Sequence, residues 1–404
     1  MPELSSEDRI EILHRVFSPS SPVQSRDFFF GRFAQLKQVE TAIREKGQHV
    51  VLYGERGVGK TSFSNILEQE VRSAKTAKIT LHRDIQFSEI WTELLRKSRR
   101  LCGLPYRPPE GTLDPYVVAD ELAELRQTVL FVLDEFDSVA SDAATLRKFA
   151  DLVKILSDNL PDITLLFVGI GLNVGDLIGE HLSLERCLRQ VLLPRMSEEE
   201  LAEIVDKGLY ALQLRMDPAV RDDVIRFSQG FPHYTHLLAK LAVDSALEMR
   251  YPHVQRVNFD RAVQKSIENA HESIRSAYRE AVVTTRGKSL FTDVVYACAL
   301  VDEDELGSFR ASDLRNVLER LTGKPAPVTS YQYHLGQLCH LHRGQMLQRV
   351  KVGKSSRYRW RNPILRAFIH LDLHHKGLLR KFRPVLAGSS APERPGGSRE
   401  ITED

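Results

Sequence analysis

The sequence lacks several features that would place it in specialised classes of protein. It has no apolar run of about 18 residues, so no membrane-spanning helix is predicted. Its first eight residues lack the basic and apolar regions of a signal peptide. Its four cysteines form no Cys-x-x-Cys pair, which argues against a zinc site or a disulfide framework. These absences favour a cytoplasmic protein with no membrane partner.

The composition that is present is typical of globular proteins. Apolar residues make up 42% of the 404 residues and charged residues 27%. This excludes a wholly disordered, collagen-like or fibrous chain. The length predicts two or three domains.

The net charge of +2 conceals an uneven distribution. Residues 341–383 hold twelve Lys and Arg side chains and one acid, whereas the rest holds 44 basic and 53 acidic side chains. A basic segment on an acidic body suggests contact with nucleic acid or with an acidic partner surface. A solvated basic face without a ligand is the alternative.

Short apolar segments alternate with helical patterns in the first half of the chain. A short helix is expected at residues 7–17, and the strands are predicted at 49–53, 77–81, 129–133, 163–168 and 191–193. Apolar strands separated by helices are typical of a parallel sheet that is covered on both faces. We therefore expect an α/β fold.

The pattern changes after Arg195. Three helices without an intervening strand are predicted at 198–212, 218–228 and 234–248, followed by one long helix at 259–279. Three further helices (290–301, 311–321, 329–341) and two strands (345–350, 357–361) then predict a winged helix. The Gly-, Ser- and Pro-rich residues near the end predict a disordered tail.

The most specific motif is a phosphate-binding loop. Residues 54–61, Gly54-Glu55-Arg56-Gly57-Val58-Gly59-Lys60-Thr61, fit G-x-x-x-x-G-K-[ST] between a predicted strand and a predicted helix. Glycines and the helix N-terminus present amide groups to phosphates. Lys60 is suited to contact the β- and γ-phosphates and Thr61 to bind Mg²⁺. The motif predicts a nucleotide and Mg²⁺ as ligands, and we include the following Ser62 in the site.

Two carboxylates follow the third predicted strand. Asp134 is placed to hold Mg²⁺ at the end of the strand, and Glu135 to activate the attacking water. Alone, such a pair is often only a solvated strand end. Together with the phosphate loop it predicts a P-loop ATPase with a catalytic glutamate.

Three further positions are weaker candidates. Asn173 follows the fourth predicted strand, where a polar side chain contacts the γ-phosphate, but a helix N-cap is the alternative. Arg186 precedes the fifth strand and is suited to reach the γ-phosphate of a neighbouring subunit, with Arg195 in reserve. A surface arginine is the alternative for Arg186. Pro232 opens a helix, which is a purely structural role in the simplest interpretation.

Together these residues resemble prokaryotic AAA+/STAND ATPases, and most closely the group similar to origin-recognition and replication-initiation ATPases. The resemblance covers roughly residues 15–375. Its motifs are Phe30-Gly31-Arg32, Gly54–Thr61, Leu133-Asp134-Glu135, His181-x-Ser183-x-x-Arg186, Gly230-Phe231-Pro232 and Tyr358-Arg359-Trp360-Arg361-Asn362-Pro363.

The resemblance implies that Gly31 and Arg32 lie near the adenine, with Pro232 on its other side. It also implies that ATP holds a closed or oligomeric state, which hydrolysis or exchange resets. Pro232 stands where replication initiators carry an arginine. This departure favours the STAND-like switch over the initiator.

The predicted organisation has five parts. These are an N-terminal helix and lead-in segment (1–30), a P-loop ATPase domain (31–195), a helical lid with a connector helix (196–283), a winged helix (284–383) and a disordered tail (384–404).

The leading functional hypothesis is an ATP-dependent switch whose winged helix contacts double-stranded DNA. Helix 329–341 would enter the major groove, and Lys351, Lys354 and Arg357 would meet phosphates. The alternative is a regulatory ATPase subunit that controls a separate effector protein, with self-association as a further expectation. An ATP-dependent metabolic enzyme fits less well, because no substrate domain is left over.

Overall fold

The structure, a computed structural model, describes residues 4–23, 29–108, 111–140, 142–170, 182–251, 253–283, 290–304, 307–352 and 355–379. No helix in these ranges is long and apolar enough to cross a membrane. The predicted disordered tail and Asn173 lie outside them.

A five-stranded parallel sheet forms the centre of the first half of the chain. Its strands are β1 (His49–Gly54), β2 (Lys75–Thr80), β3 (Val129–Asp134), β4 (Ile163–Ile170) and β5 (Leu188–Leu192), in the order β2-β3-β4-β1-β5. All four neighbouring pairs are parallel. The predicted parallel sheet is confirmed, although β5 begins three residues earlier than expected.

Helices cover both faces of the sheet, as its two-sided apolar strands require. They are α2 (Phe33–Arg44), α3 (Lys60–Glu70), α4 (Phe87–Leu101), α5 (Pro115–Ala123) and α6 (Ala143–Asn159). Helix α1 (Ser6–Val16) precedes them and packs on helices from later in the chain. Alternate residues of β3 divide between two apolar clusters, because successive side chains of a strand point to opposite faces. Val132 packs in the cluster that contains Phe63 of α3, and Phe131 packs in the cluster that contains Trp91 of α4.

Five helices follow the sheet: α7 (Glu198–Leu212), α8 (Pro218–Ser228), α9 (Pro232–Glu248), α10 (Arg256–Glu268) and α11 (Glu272–Val282). The predicted single helix 259–279 is wrong, because α10 ends with Asn269 as its C-cap and α11 restarts after His271. The expectation of no strand here is also wrong. Two-residue strands, β6 (Arg215–Met216) and β7 (His253–Val254), form a parallel pair.

The C-terminal region, defined here as the described part of residues 290–379, combines helices with a small antiparallel sheet. Its elements are α12 (Phe291–Leu300), β8 (Ser308–Phe309), α13 (Arg315–Thr322), α14 (Val328–Gln337), β9 (Leu347–Val352), β10 (Ser355–Trp360) and α15 (Ile364–His375). The sheet order is β8-β10-β9. The hairpin of β9 and β10 was predicted within two residues at each end, whereas β8 is too short to leave an apolar pattern.

Candidate functional site

The phosphate loop and the acidic pair meet at one cavity of about 660 Å³. The cavity lies at the carboxyl ends of β1, β3 and β4, where parallel α/β sheets place their ligands. Its size is in the range of pockets that enclose small-molecule ligands. Residues of the phosphate loop, the acidic pair, the segment 18–23 and the start of α9 line it.

The phosphate loop has the backbone conformation that its glycines permit. Gly57 has a φ of 89° and Gly59 a φ of 97°, in the left-handed region where side chains with a Cβ are strained. Gly59 is also the N-cap of α3, so the helix begins at Lys60 with its amide end at the cavity. Backbone amides and a helix N-terminus together suit the binding of phosphate.

Lys60 is held inside the loop. Its Nζ donates to the carbonyl oxygens of Gly54 at 3.0 Å and Glu55 at 2.8 Å. Burial lowers the pKa of Lys60 from 10.5 to about 8, although the negative charges of Asp137 and Asp134 oppose this shift. A ligand phosphate would supply the negative charge that this buried ammonium needs.

The two predicted carboxylates lie where the sequence indicated. Asp134 ends β3, is 2% exposed and accepts a hydrogen bond from the Glu135 amide at 3.0 Å. Glu135 lines the cavity and has a φ of 57°. A non-glycine residue in this conformation is strained, and such strain is concentrated at functional sites.

Asp137 is a third carboxylate at the cavity that the sequence analysis did not single out. It lies in the 3₁₀ turn Phe136–Val139, directly after the acidic pair. Its charge is the main one that favours the charged form of Lys60. The sequence signal that could have identified Asp137 is that it is a third acid, three residues after Asp134.

The oxygen groups at the cavity fit Mg²⁺. The hydroxyl of Thr61 and the carboxylate of Asp134 are hard oxygen ligands, and both residues line the cavity. No group of three or more His, Cys, Asp or Glu side chains in the described residues is arranged to hold a metal ion, at this cavity or elsewhere.

One wall of the cavity comes from a segment that sequence reasoning missed. Residues 18–23 line it, and the Val23 amide donates to Ser62 Oγ at 3.1 Å, so Ser62 fastens this segment. On the other side Pro232 and His233 line the wall, and His233 Nδ1 lies 2.8 Å from the Pro19 carbonyl oxygen. The Ser- and Pro-rich composition of 18–22 indicated only a loop.

His236, one turn further along α9, also lines the cavity. Burial lowers the pKa of His236 to about 4 and lowers that of His233 as well. Both rings are therefore neutral near pH 7 and bring no charge to the cavity.

Gly31 and Arg32 lie behind the phosphate loop. The Arg32 guanidinium donates to the Val58 carbonyl oxygen at 3.4 Å, and its amide donates to Glu200 Oε1 at 2.9 Å. Gly31 packs against the Glu200 side chain, where a Cβ would lie 2.4 Å from Oε1. These two residues brace the loop from the side of α7.

The Glu55 side chain joins a cluster of charges between the loop and the C-terminal region. This interdomain charge cluster consists of Glu55, Arg195, Glu303 and Arg366. Arg195 lies 2.5 Å from Glu55 Oε2 and 2.7 Å from Glu303 Oε2, and Arg366 lies 3.0 Å from the same Glu303 oxygen. Glu303 is 2% exposed. Burial raises the pKa of Glu303 although both guanidinium groups oppose the shift.

The backbone also approaches the loop closely from the C-terminal region. A Cβ on Gly307 would lie 1.8 Å from Glu55 Oε1, and one on Gly57 would lie 3.7 Å from Ile364, the first residue of α15. The Tyr234 hydroxyl of α9 donates to the Ile364 carbonyl oxygen at 3.1 Å. The phosphate loop is thus in direct contact with two places in the C-terminal region, at Gly307 and at Ile364.

The arginine candidates lie in different surroundings. Arg186 is 70% exposed, pairs with Asp158 at 3.1 Å and is separated by Cys187 from the first residues of β5. These residues pair with the start of β1, so Arg186 lies at the end of the sheet opposite the phosphate loop. Arg195, the reserve candidate, is occupied by the interdomain charge cluster and stacks over Phe231 at 4.7 Å.

The structure describes two of the three residues that were predicted to contact DNA. Lys351 is exposed on β9, and Lys354 lies outside the described residues. Arg357 is paired with Asp304 at 3.2 Å and donates to the Ser308 carbonyl oxygen at 3.3 Å. Of these three, Lys351 is the one that the structure shows facing solvent.

Comparison with known proteins agrees with this geometry. A family model described as an AAA domain matches residues 43–173, which contain both the phosphate loop and the acidic pair. No curated protein sequence matches the chain.

Two solved structures share the fold over most of the chain. A Walker-type ATPase of Pyrococcus abyssi is 18% identical with a TM-score of 0.55, over 88% of this chain and 99% of that one. The Aeropyrum pernix ORC2 protein, solved as ADPNP–ADP complexes, is 16% identical with a TM-score of 0.52, over 91% and 98%. The match of residues 43–173 to an AAA domain therefore supports ATPase activity of this chain.

Proposed function

We propose that this chain is an ATP-dependent molecular switch of the STAND-like type. In this proposal ATP binding and hydrolysis change the contact between the ATPase domain and the C-terminal region, or drive self-association. The interdomain charge cluster carries the proposal, because it ties a phosphate-loop side chain, Glu55, to Glu303 of the C-terminal region. A change of loop conformation is thereby linked to the position of that region.

The residues at the cavity are suited to ATP hydrolysis. Lys60 would exchange the carbonyl oxygens of Gly54 and Glu55 for phosphate oxygens. Glu135 would take a proton from the attacking water. Thr61 and Asp134 would hold Mg²⁺, which neutralises charge on the phosphates when it is bound. Neutral His233 and His236, with residues 18–23, would enclose the base.

The same exchange supplies a physical route for the switch. Lys60 is bonded to the Glu55 carbonyl oxygen, and the Glu55 carboxylate is bonded to Arg195. When phosphate draws Lys60 away, the backbone at Glu55 loses a donor and can reorient. Buried ion pairs tolerate little displacement, because a separated buried charge is costly. Reorientation would therefore weaken the hold on Glu303.

We propose further that the C-terminal region is a winged helix that contacts double-stranded DNA. Helices α12, α13 and α14, the three-stranded antiparallel sheet and the β9–β10 hairpin support this arrangement. The excess of basic residues in 341–383 favours a polyanion. Lys351 on β9 would meet phosphates, as would Lys354, and Arg357 if it leaves Asp304.

One observation favours an effector protein as the partner instead. Tyr333 on α14 is 66% exposed, and Leu341 after that helix is 77% exposed. Large apolar side chains at the surface near one another in the chain suit a protein contact better than a phosphate backbone. Self-association would place the exposed Arg186 at a neighbouring subunit's γ-phosphate.

ATP turnover at low salt, with and without duplex DNA, tests the proposal. Wild-type protein should hydrolyse ATP, and Glu135→Gln should still bind ATP but lose about 10²-fold or more in turnover. Stimulation by DNA that falls steeply with salt would support phosphate contacts. Turnover that DNA does not change would indicate that the C-terminal region contacts a protein rather than DNA. Absence of nucleotide binding would contradict the proposed function as a whole.

A further inference from the structure

A largely buried lysine on the edge strand of the sheet contacts the predicted magnesium aspartate. Lys78 lies on β2 opposite Val132 of β3. Its Nζ is 3.0 Å from Asp134 Oδ2, and the side chains are 13% and 2% exposed. The same Nζ donates two further hydrogen bonds, to Ser64 Oγ and to Asn65 Oδ1 on α3, each at 2.6 Å.

These contacts join the two residues that would hold the metal. Ser64 Oγ lies 3.0 Å from the Thr61 carbonyl oxygen and 3.3 Å from Asp134 Oδ2. Lys78 is therefore bonded to the aspartate and, through one hydroxyl, to the turn of α3 that carries Thr61. The other aspartate oxygen, Oδ1, accepts from the Glu135 amide.

We propose that Lys78 is a positioning residue for the metal site, which rests on the proposed ATPase function. It fixes the orientation of the Asp134 carboxylate, and its positive charge lies at the same carboxylate that Mg²⁺ would bind. An aspartate that is 2% exposed needs such a partner, because an isolated buried carboxylate is costly. Lys97 supports the arrangement, since its Nζ donates to the Lys78 carbonyl oxygen at 2.8 Å.

The sign of the effect follows from charge. A cation 3.0 Å from Asp134 Oδ2 opposes the binding of a second cation at the same carboxylate. Removing the ammonium makes the site more negative and leaves the carboxylate less firmly oriented. Magnesium should then bind at lower concentration, while turnover falls because the metal and the phosphates are less well aligned.

The test is a magnesium titration of nucleotide binding and of turnover in the full chain. A fluorescent ATP analogue reports binding, and the variants are Lys78→Met and Lys78→Arg. Lys75→Met is the matched control, because Lys75 is an exposed lysine at the first position of the same strand. Thermal unfolding of each variant shows whether it is folded.

Lys78→Met should reach half-saturation at about tenfold lower Mg²⁺ and turn over more slowly. Lys78→Arg should restore most of both properties, and Lys75→Met should resemble wild type. Asp134→Asn should abolish the effect of Lys78→Met on the magnesium requirement. An unchanged or raised requirement in Lys78→Met overturns the inference, whereas loss of nucleotide binding by wild type overturns the proposed function instead.

If Lys78→Met does not fold, the magnesium requirements of Lys78→Arg and Lys78→Gln are compared instead. Gln keeps hydrogen-bonding capacity without the charge, so the inference requires it to lower the magnesium requirement as Met would. A Gln variant with the wild-type requirement contradicts the role of charge.

Discussion

At the scale of the residue, the position of site residues could be predicted where a short motif dictates it. Lys60 and Asp134 lie at one cavity because the phosphate loop and the acidic pair each follow a strand of the same parallel sheet. Lys78 and His233 could not be predicted, because their roles depend on contacts between segments far apart in sequence. Lys78 gave no local signal that distinguishes it from a solvated strand lysine.

The lowered pKa of Lys60 predicts how nucleotide binding depends on pH. The free protein loses the Lys60 charge as pH rises through about 8, whereas bound phosphates would hold the proton. Affinity for ATP should therefore fall as pH rises from 7 to 9, by up to about tenfold for each unit above 8. Binding of a fluorescent ATP analogue at each pH measures this.

Lys60→Arg is the control, because an arginine keeps its charge throughout this range. Lys60→Arg should bind ATP more weakly than wild type, and its affinity should change less with pH. The same slope in both proteins would assign the titration to another group.

At the scale of the element, apolar runs were sufficient to predict the strands of the large sheet but not the break between two helices. Strand β3 is entirely apolar up to Asp134 and was predicted at its observed start. Helices α10 and α11 are separated at residues 269–271 by a cap that carries no Gly or Pro. The two-residue strands β6, β7 and β8 are held by pairing with distant residues, so periodicity could not reveal them.

The docking of α1 on α7 predicts the effect of a small substitution. A Cβ added at Gly208 of α7 would lie 2.2 Å from the Phe17 ring, which is fully buried. Gly208→Ala should lower the free energy of unfolding by about 1–3 kcal/mol through overpacking. It should also weaken nucleotide binding, because Phe17 directly precedes the cavity segment 18–23. Urea denaturation and nucleotide binding measure the two effects.

Gly336→Ala on α14 is the matched control. A Cβ there meets no atom within 4 Å, so alanine should stabilise the helix by up to about 1 kcal/mol. If Gly208→Ala were equally stabilising, α1 would not depend on this contact.

At the scale of the whole molecule, the ATPase domain and the C-terminal region meet at a buried charge cluster. The sequence placed Glu55 in the phosphate loop but gave no sign of its partners, since Arg195 and Glu303 are 140 and 248 positions away in the chain. Such a cluster fixes one arrangement of the two parts. Displacing one of its charges is costly, so a movement of the phosphate loop would be transmitted to the C-terminal region, as a switch requires.

Neutralising Glu303 should loosen this arrangement. Glu303→Gln leaves Arg195 and Arg366 with less compensation and should cost about 3–5 kcal/mol of stability. Glu55→Gln should cost less, because Glu55 is more exposed than Glu303. Urea denaturation of both variants and the double variant gives a coupling energy. Strictly additive losses would show that the two carboxylates do not act through Arg195.

The most direct test of the switch is the distance between the two parts of the molecule in each nucleotide state. Spin labels at cysteines introduced for Tyr116 and Tyr333, both exposed, would report it in a background without the four native cysteines. In Glu135→Gln protein, ATP with Mg²⁺ should shift the distance distribution away from that of the nucleotide-free protein. Lys60→Ala should show no shift. An identical distribution with and without bound ATP would contradict the account.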